Sequence, residues 1–365
     1  METEILSPTS EHIAVAAAAL RQGQLVAMPT ETVYGLAGNG LDEQAVASIF
    51  AAKERPRFDP LILHLPAGVT LEELQGWLVD VSAFTPTARA WLGSLIDTFW
   101  PGPLTLVLPK CPTVPDLVSS GLPTVALRVP AHPVAQALLQ AVQTPLAAPS
   151  ANRFGRISPT SAQAVAAELG GRIPYILDGG ACAVGLESTV LKLSPEGIPT
   201  LLRPGGIPLE ALEAHLGLPI HLAPEQAPGV PEAPGRLSSH YAPGKPLWLL
   251  PTAFAQLQPG DWQQIQHLAT GHSHLGILSF AADPQALLNH LSRHWPGVLF
   301  SVECLGSDPN TAARALFASL RRLDEGDATL LLAEPPPLST GLGYAMMDRL
   351  HRASSLWNPP LSWPS

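Results

Sequence analysis

Over the first 217 residues, short apolar runs alternate with stretches in which apolar residues recur at helical spacing. Residues 25–28 are a continuous apolar run of strand length. Asp42 stands where it can cap a helix whose Ala45, Val46, Ile49 and Phe50 share one face. Further strands are predicted over 61–65, 104–108, 124–129, 188–193 and 200–202, and helices over 86–95, 133–142 and 161–169. Elements mixed in this way indicate a sheet domain of α/β or α+β class.

The pattern breaks between 218 and 246. There Pro219, Pro224, Pro228, Pro231, Pro234, Pro243 and Pro246 forbid regular structure over most of the segment. Such a composition reads as a semi-rigid, extended linker. Beyond it, strands at 247–250, 275–280, 298–302 and 329–332 alternate with helices near 284–291 and 310–323, the pattern of a small parallel α/β domain. The expected organisation is a first domain over 1–217, a proline-rich linker over 218–246 and a second domain over 247–365, with no internal repeat between the halves.

Hydrophobic residues make up 46% of the 365, ample apolar surface for two cores. The 40 prolines and 30 glycines are scattered, so collagen-like and low-complexity readings fail. Met1-Glu2-Thr3-Glu4 lacks the positive start of a secretory signal, and no apolar run approaches the roughly 18–20 residues of a membrane span. A cytoplasmic protein without a membrane partner is expected. Cys111, Cys182 and Cys304 form neither a disulfide framework nor a zinc knuckle. The net charge is −10; up to Gly217 there are 12 basic and 19 acidic residues, so stable nucleic-acid binding is not expected. Against that background Lys53, Arg55 and Arg57 concentrate positive charge within five residues, which suits a small anionic ligand.

Several segments carry candidate chemistry. Pro29-Thr30-Glu31-Thr32-Val33-Tyr34-Gly35-Leu36 follows a strand and can present hydroxyls and turn amides to a ligand. Lys53-Glu54-Arg55-Pro56 closes a helix, with Asp59 and His64 beyond it; Arg offers a planar fork for phosphate or carboxylate. Taken alone, Lys53 is also what a helix C-terminus favours, and His64 reads as a core or edge histidine. The loop from Ala148 through Ser150, Asn152, Arg153, Gly155 and Arg156 to Ser158 and Thr160 can bind phosphate oxygens, with Ser158 and Thr160 expected to cap the next helix. Glu187-Ser188-Thr189-Val190 opens a later strand, and Leu202-Arg203-Pro204-Gly205 ends another. Neither a Gly-x-x-x-x-Gly-Lys loop nor a Gly-x-Gly-x-x-Gly turn occurs, so any nucleotide site is built differently. No Gly-x-Ser-x-Gly elbow makes Ser150 a nucleophile. His267, His272, His274, His290 and His294 lack a companion carboxylate or cysteine set and are expected to be solvated, with no metal site.

In this order the segments resemble the YrdC family, and the linker with the second domain resembles its long, two-domain form. The resemblance runs from about Ala19 to the C-terminus. It rests on the motifs at 29–36, 53–56, 150–152, 187–190 and 202–205 and on His240-Tyr241-Ala242-Pro243. It implies an α/β (α+β) fold: a twisted mixed-sheet catalytic domain with helices, then a smaller Rossmann-like parallel domain. The implied reaction joins L-threonine and bicarbonate as a carbamate that attacks the α-phosphorus of ATP, with Mg2+, and releases pyrophosphate. Such nucleotidyl transfer needs in-line positioning and charge stabilisation more than a protein nucleophile. The adenylate would serve threonylcarbamoyl modification of transfer RNA at A37, and a transient contact with the complex that transfers the group is allowed.

The resemblance implies Lys53 and Arg55 as the catalytic cations. It places Thr32, His64, Arg128, Ala148 and Ser188 around threonine, and Arg55, Asp59, Thr124, Ser150, Asn152, Ser158, Arg203 and Tyr241 around ATP. The linker would close over the site and bring Tyr241 to the nucleotide. Two departures from the family pattern stand out: residues 233–239 replace the usual Ser-Pro-Gly-Met and the aromatic and basic residues that follow it, and Phe154 replaces a serine. The alternative from another class is an RNA-binding module of the same fold without catalysis, which the acidic balance disfavours.

Overall fold

The computed structural model describes residues 2–224, 231–235 and 241–354. The described residues within 1–154 and 158–237 form one compact unit, and those within 155–157 and 238–365 a second.

The first unit is built on one mixed sheet. Its strands are β1 (Glu4–Leu6), β2 (Val26–Met28), β3 (Gly35–Asn39), β4 (Ile62–His64), β5 (Leu104–Pro109), β6 (Thr124–Arg128), β7 (Leu146–Ala147), β8 (Tyr175–Leu177), β9 (Thr189–Leu193), β10 (Pro199–Arg203) and β11 (His221–Leu222). They lie in the order β1-β8-β2-β3-β7-β4-β6-β5-β9-β10-β11. The central β4 runs parallel to β6, which is antiparallel to β5, which is parallel to β9. Helices Ser10–Arg21 and Pro133–Val142 bury Ala16, Leu20, Leu138 and Leu139 with Val26, Met28 and Leu146 of the sheet. Thr9 caps the first of these through the His12 N–H. The helix Glu43–Lys53 starts at Asp42, whose carboxylate accepts the Gln44 and Ala45 N–H groups, and ends where Glu54 takes a left-handed conformation at φ 55°. That turn re-aims the chain so that Lys53 and Arg55 are both buried.

The second unit holds four parallel strands, β12 (Leu247–Leu249), β13 (His274–Ser279), β14 (Leu299–Cys304) and β15 (Leu330–Ala333), in the order β12-β15-β13-β14. A mixed-sheet unit and a smaller parallel α/β unit are the classes expected from the sequence.

Three local expectations are corrected. The segment after Gly217 is not wholly irregular: His221 and Leu222 pair with β10 as a parallel edge strand, within the four residues that separate Pro219 from Pro224. The helix Ala162–Leu169 is capped by Ser161, which accepts the Ala164 N–H at 3.2 Å, and not by Ser158 or Thr160. In the second unit, helices Pro259–Leu268 and Gly341–Ala353 were not foreseen. The first buries only Trp262 and Ile265, too sparse a stripe to read, and the second opens on glycines at 341 and 343.

Candidate functional site

Strand register sets the first part of the site. His64 on β4 lies opposite Arg128 on β6, and Arg128 lies opposite Thr105 on β5, so the three share one face of the sheet. Arg128 is buried, with Nη1 donating to Thr32 Oγ1 at 2.8 Å and Nε to the Gly102 carbonyl at 3.3 Å. Its Nη2 stands 2.7 Å from Glu31 Oε1. Thr32 is fixed in turn. The Thr30 hydroxyl donates to the Val33 carbonyl at 2.6 Å, so the 2.8 Å contact between the two threonine hydroxyls has Thr32 as donor. The strand-to-turn segment 29–36 thus becomes a hydroxyl-ordered loop over Arg128.

His64 meets the Ile62 carbonyl through Nδ1 at 3.2 Å. A carbonyl only accepts, so Nδ1 carries the proton and Nε2 is left as an acceptor. Burial, with Arg128 adding to it, pushes the imidazole down to about 3, so it is neutral at physiological pH. Ser188 shares a 2.7 Å hydrogen bond with Thr105 Oγ1. Arg203 Nη2 donates to the Ser188 carbonyl at 2.8 Å and to its hydroxyl at 3.2 Å. Ala148 donates its N–H to the Ile62 carbonyl at 3.1 Å, and a side chain at Gly35 would press on Ala148 Cβ at 3.2 Å. Thr32, His64 and Arg128 are therefore tied together, and Ser188 joins them through Thr105.

A second group centres on Arg55. Its Nη2 pairs with Asp59 Oδ2 at 2.8 Å, both side chains being buried, while Nε and Nη2 also reach the carbonyls of Asp59 and Pro60. Burial pushes the Asp59 carboxyl above its ordinary value, against the opposing pull of Arg55, Lys53 and Arg203. Lys53 Nζ donates to the carbonyls of Ser150 and Asn152. Burial and then Arg55 hold its ammonium well below the ordinary lysine value. Lys53 is thus the tether of the 150–152 loop. Asn152 Nδ2 donates to the Arg153 carbonyl at 2.8 Å, and the Ser158 hydroxyl donates to Glu187 Oε1 at 2.6 Å. Arg203 also reaches the Pro234 carbonyl through Nη1 at 2.9 Å. Gly205 lets the chain after β10 approach Ser188: a Cβ there would lie 2.4 Å from the Glu187 oxygen and 2.5 Å from Thr189 N.

Thr124 begins β6, at the opposite end of the strand from Arg128. Tyr241 belongs to the second unit, where it is buried with φ 64°, stacks on Phe317 at 5.6 Å and carries Arg349 Cζ 5.0 Å from its ring centre. His240 and residues 236–239 of the linker lie outside the described residues.

Sequence reasoning did not assign Glu31, Thr105 or Glu187. Glu31 and Glu187 sit inside the quoted motifs, but a carboxylate beside an anionic substrate makes sense only once its partner, Arg128 or Ser158, is known. Thr105 has no motif, and strand register alone reveals it. Of the histidines, His294 stacks flat on Trp262 at 3.6 Å with His290 tilted beside both. Among the described residues no three His, Cys, Asp or Glu side chains converge as a metal site.

The arrangement offers a guanidinium suited to a carboxylate, a neutral histidine, paired hydroxyls and a second cationic cluster beside a backbone-rich loop. Residues 18–205 match the family model described as Telomere recombination, which covers the Sua5, YciO and YrdC proteins, and residues 207–355 match the model of the threonylcarbamoyl-AMP synthase C-terminal domain. The curated threonylcarbamoyl-AMP synthase of Pyrococcus abyssi is 40% identical over 347 residues, 94% of each chain. That of Bacillus subtilis is 40% identical over 364 residues, 96% of this chain and 95% of its own. The crystal structure of P. abyssi Sua5 complexed with L-threonine superposes with a TM-score of 0.82 at 38% identity, covering 96% of this chain and 98% of that one. The chain belongs to the Sua5/YciO/YrdC family, in its long two-domain form.

Proposed function

We propose that the chain is a nucleotidyltransferase that makes L-threonylcarbamoyladenylate, pyrophosphate and water from L-threonine, bicarbonate and ATP. The observation that carries this reading is the 40% identity, along 94% of the chain, to a curated enzyme of that name. The geometry supports the following division of roles. Arg128 takes the threonine carboxylate, oriented by Thr32 and balanced by Glu31, in the paired manner that suits a guanidinium. Neutral His64 accepts a hydrogen bond without adding charge, and Ser188, held by Thr105 and Arg203, faces the same substrate. Arg55 and Arg203 stabilise the phosphates, while Lys53 orders the loop carrying Ser150 and Asn152.

Bound together with the nucleotide, Mg2+ would neutralise phosphate charge. Asp59, whose Oδ1 has no hydrogen-bond partner, is the carboxylate available to it. The product would supply threonylcarbamoylation of transfer RNA at A37 in the cytoplasm, through a transient contact with the transfer complex. The test is to incubate the purified chain with ATP, Mg2+, bicarbonate and L-threonine. Pyrophosphate and an acid-labile threonylcarbamoyl adenylate are expected by mass spectrometry; equal pyrophosphate release without threonine would overturn the reading.

A further inference from the structure

The second unit has a crevice of its own. From β13 the chain crosses to β14 through helix Pro284–His294 and returns to β15 through helix Pro309–Glu325, reversing direction across the sheet. Leu275 and Ile277 of β13 pack with Leu287 and Leu291 of the first helix, whereas the intervening Gly276 faces Leu323 of the second. The two crossovers therefore cover opposite faces, and such a reversal opens a ligand crevice at the carboxyl ends of parallel strands. A cavity of about 620 Å³ lies there, lined by segments that follow β12, β13 and β15 and by helix Pro284–His294. Small-molecule pockets span roughly 300–1,000 Å³.

Its charged lining residues are Glu334, Asp283 and Arg293, and the Asp283 carboxylate is engaged at the start of helix Pro284–His294, where it accepts the Gln285 and Ala286 N–H groups at 2.9 and 3.1 Å. Glu334, the first residue after β15, is only 4% exposed. Its Oε1 accepts the Phe254 N–H at 2.7 Å; its Oε2 accepts the Phe280 N–H at 3.0 Å and the Ser279 hydroxyl at 2.5 Å. Those bonds lock the chain after β12 and β13 to the end of β15, so the cavity is preformed. A carboxylate offers about four acceptor positions, so one remains for a ligand donor. His290 Nε2, shielded from solvent, has no hydrogen-bond partner. Arg293 is the cation among the lining residues; it is exposed, and its Nε donates to the Asn289 carbonyl at 3.1 Å. Phe280, Leu287 and the run Pro335-Pro336-Pro337 supply rigid apolar surface.

We propose that this cavity is a second ligand site, within the second unit alone, and that it takes a ribonucleoside monophosphate. The base lies on Phe280 and the proline run, and a ribose hydroxyl donates to Glu334, the role an acidic residue at a strand end plays in doubly wound nucleotide folds. The phosphate, excluded from the carboxylate end, meets Arg293, which replaces the glycine-rich phosphate turn that this sequence lacks. The site would let the second unit sense nucleotide independently of turnover.

The test uses the full chain and photolabelling with 8-azidoadenosine 5′-monophosphate, followed by proteolysis and mass spectrometry. Label is expected on peptides carrying Phe280 or Pro335–Pro337. AMP should displace it at least tenfold more effectively than 2′-deoxy-AMP, because a site built to bond a hydroxyl rejects the analogue without it. Arg293→Glu at the rim, and Ala286→Trp as an exposed cavity-filling change, should each cut that labelling at least tenfold while far-UV circular dichroism and melting stay at the parent values. Absence of label on those peptides, equal displacement by the 2′-deoxy compound, or undiminished labelling in both folded variants would overturn the proposal.

Discussion

Replacing Arg128 by Gln removes one half of a buried ion pair and leaves Glu31, 2.7 Å away and almost as deeply buried, without its partner. Removing one member of such a pair costs about 3–5 kcal/mol, because the remaining charge stays desolvated. For a unit of this size each kcal/mol lowers the midpoint by roughly 2–4 °C, so Arg128→Gln should melt roughly 6–20 °C lower by calorimetry. The double variant Glu31→Gln with Arg128→Gln removes both charges and should regain most of that loss. Substrate recognition should not recover with it. A charge-assisted hydrogen bond contributes about 1.5–3 kcal/mol, so kcat/KM for threonine should fall roughly ten- to hundredfold in single and double variants alike, with KM for ATP little changed. If the double variant recovered threonine kinetics together with stability, Arg128 would serve only to neutralise Glu31. Unchanged melting of the single variant would show that the pair is not desolvated.

The imidazole of His64 titrates at about 3 in the fold against 6.5 unfolded, so the unfolded chain binds the extra proton between those values and stability falls as pH drops through that window. The slope contributed should approach about 1.4 kcal/mol per pH unit, and urea melts from pH 7 to 4.5 should show it flattened in His64→Gln; an identical slope would contradict the buried neutral imidazole. Arg55→Ala should lower turnover at least tenfold in the pyrophosphate assay with circular dichroism retained, whereas parent kinetics would reduce Arg55 to the partner of Asp59. Lys53→Met should free the carbonyls of Ser150 and Asn152, raising KM for ATP more than KM for threonine and speeding amide exchange in the 150–155 loop; unaltered exchange would count against the tether. Gly205→Ala must displace the backbone at Glu187–Thr189, so threonine-dependent activity should fall at least as far as in Ser188→Ala, and a milder effect would show that the close approach is dispensable.

Much of the fold was legible because its strands are continuous apolar runs and its helices open on capping residues. Asp42 and the 133–142 helix, which starts on Pro133, are cases where local chemistry and tertiary position agree. Strands without an apolar run longer than themselves were not legible: β1, β7, β8 and β11 hold three, two, three and two residues and only pairing defines them, whereas the equally short β2 and β4 sit inside longer apolar runs, and the five-residue β3, Gly35–Asn39, is masked by its two glycines and terminal asparagine. Within the site, the cations and hydroxyls were visible as motifs, yet their division of labour was not. Whether Lys53 points at a ligand or at its own chain depends on the 150–152 loop folding back onto the end of its helix, about a hundred residues later in sequence. Ser158 likewise reads as a cap until Glu187 is brought within 2.6 Å of its hydroxyl.

The eleven-stranded sheet of the first unit ends at β1 on one side and β11 on the other. Both outer strands carry an exposed apolar residue, Ile5 and Leu222. A wide sheet with apolar rims is ordinarily an invitation to intermolecular pairing and fibrous assembly. Here the invitation is cut short by length, since three and two residues offer too few unpaired amides and carbonyls to template another chain. Prolines 219 and 224 keep β11 from growing, so the broad sheet presents only a short edge there for another chain to pair with.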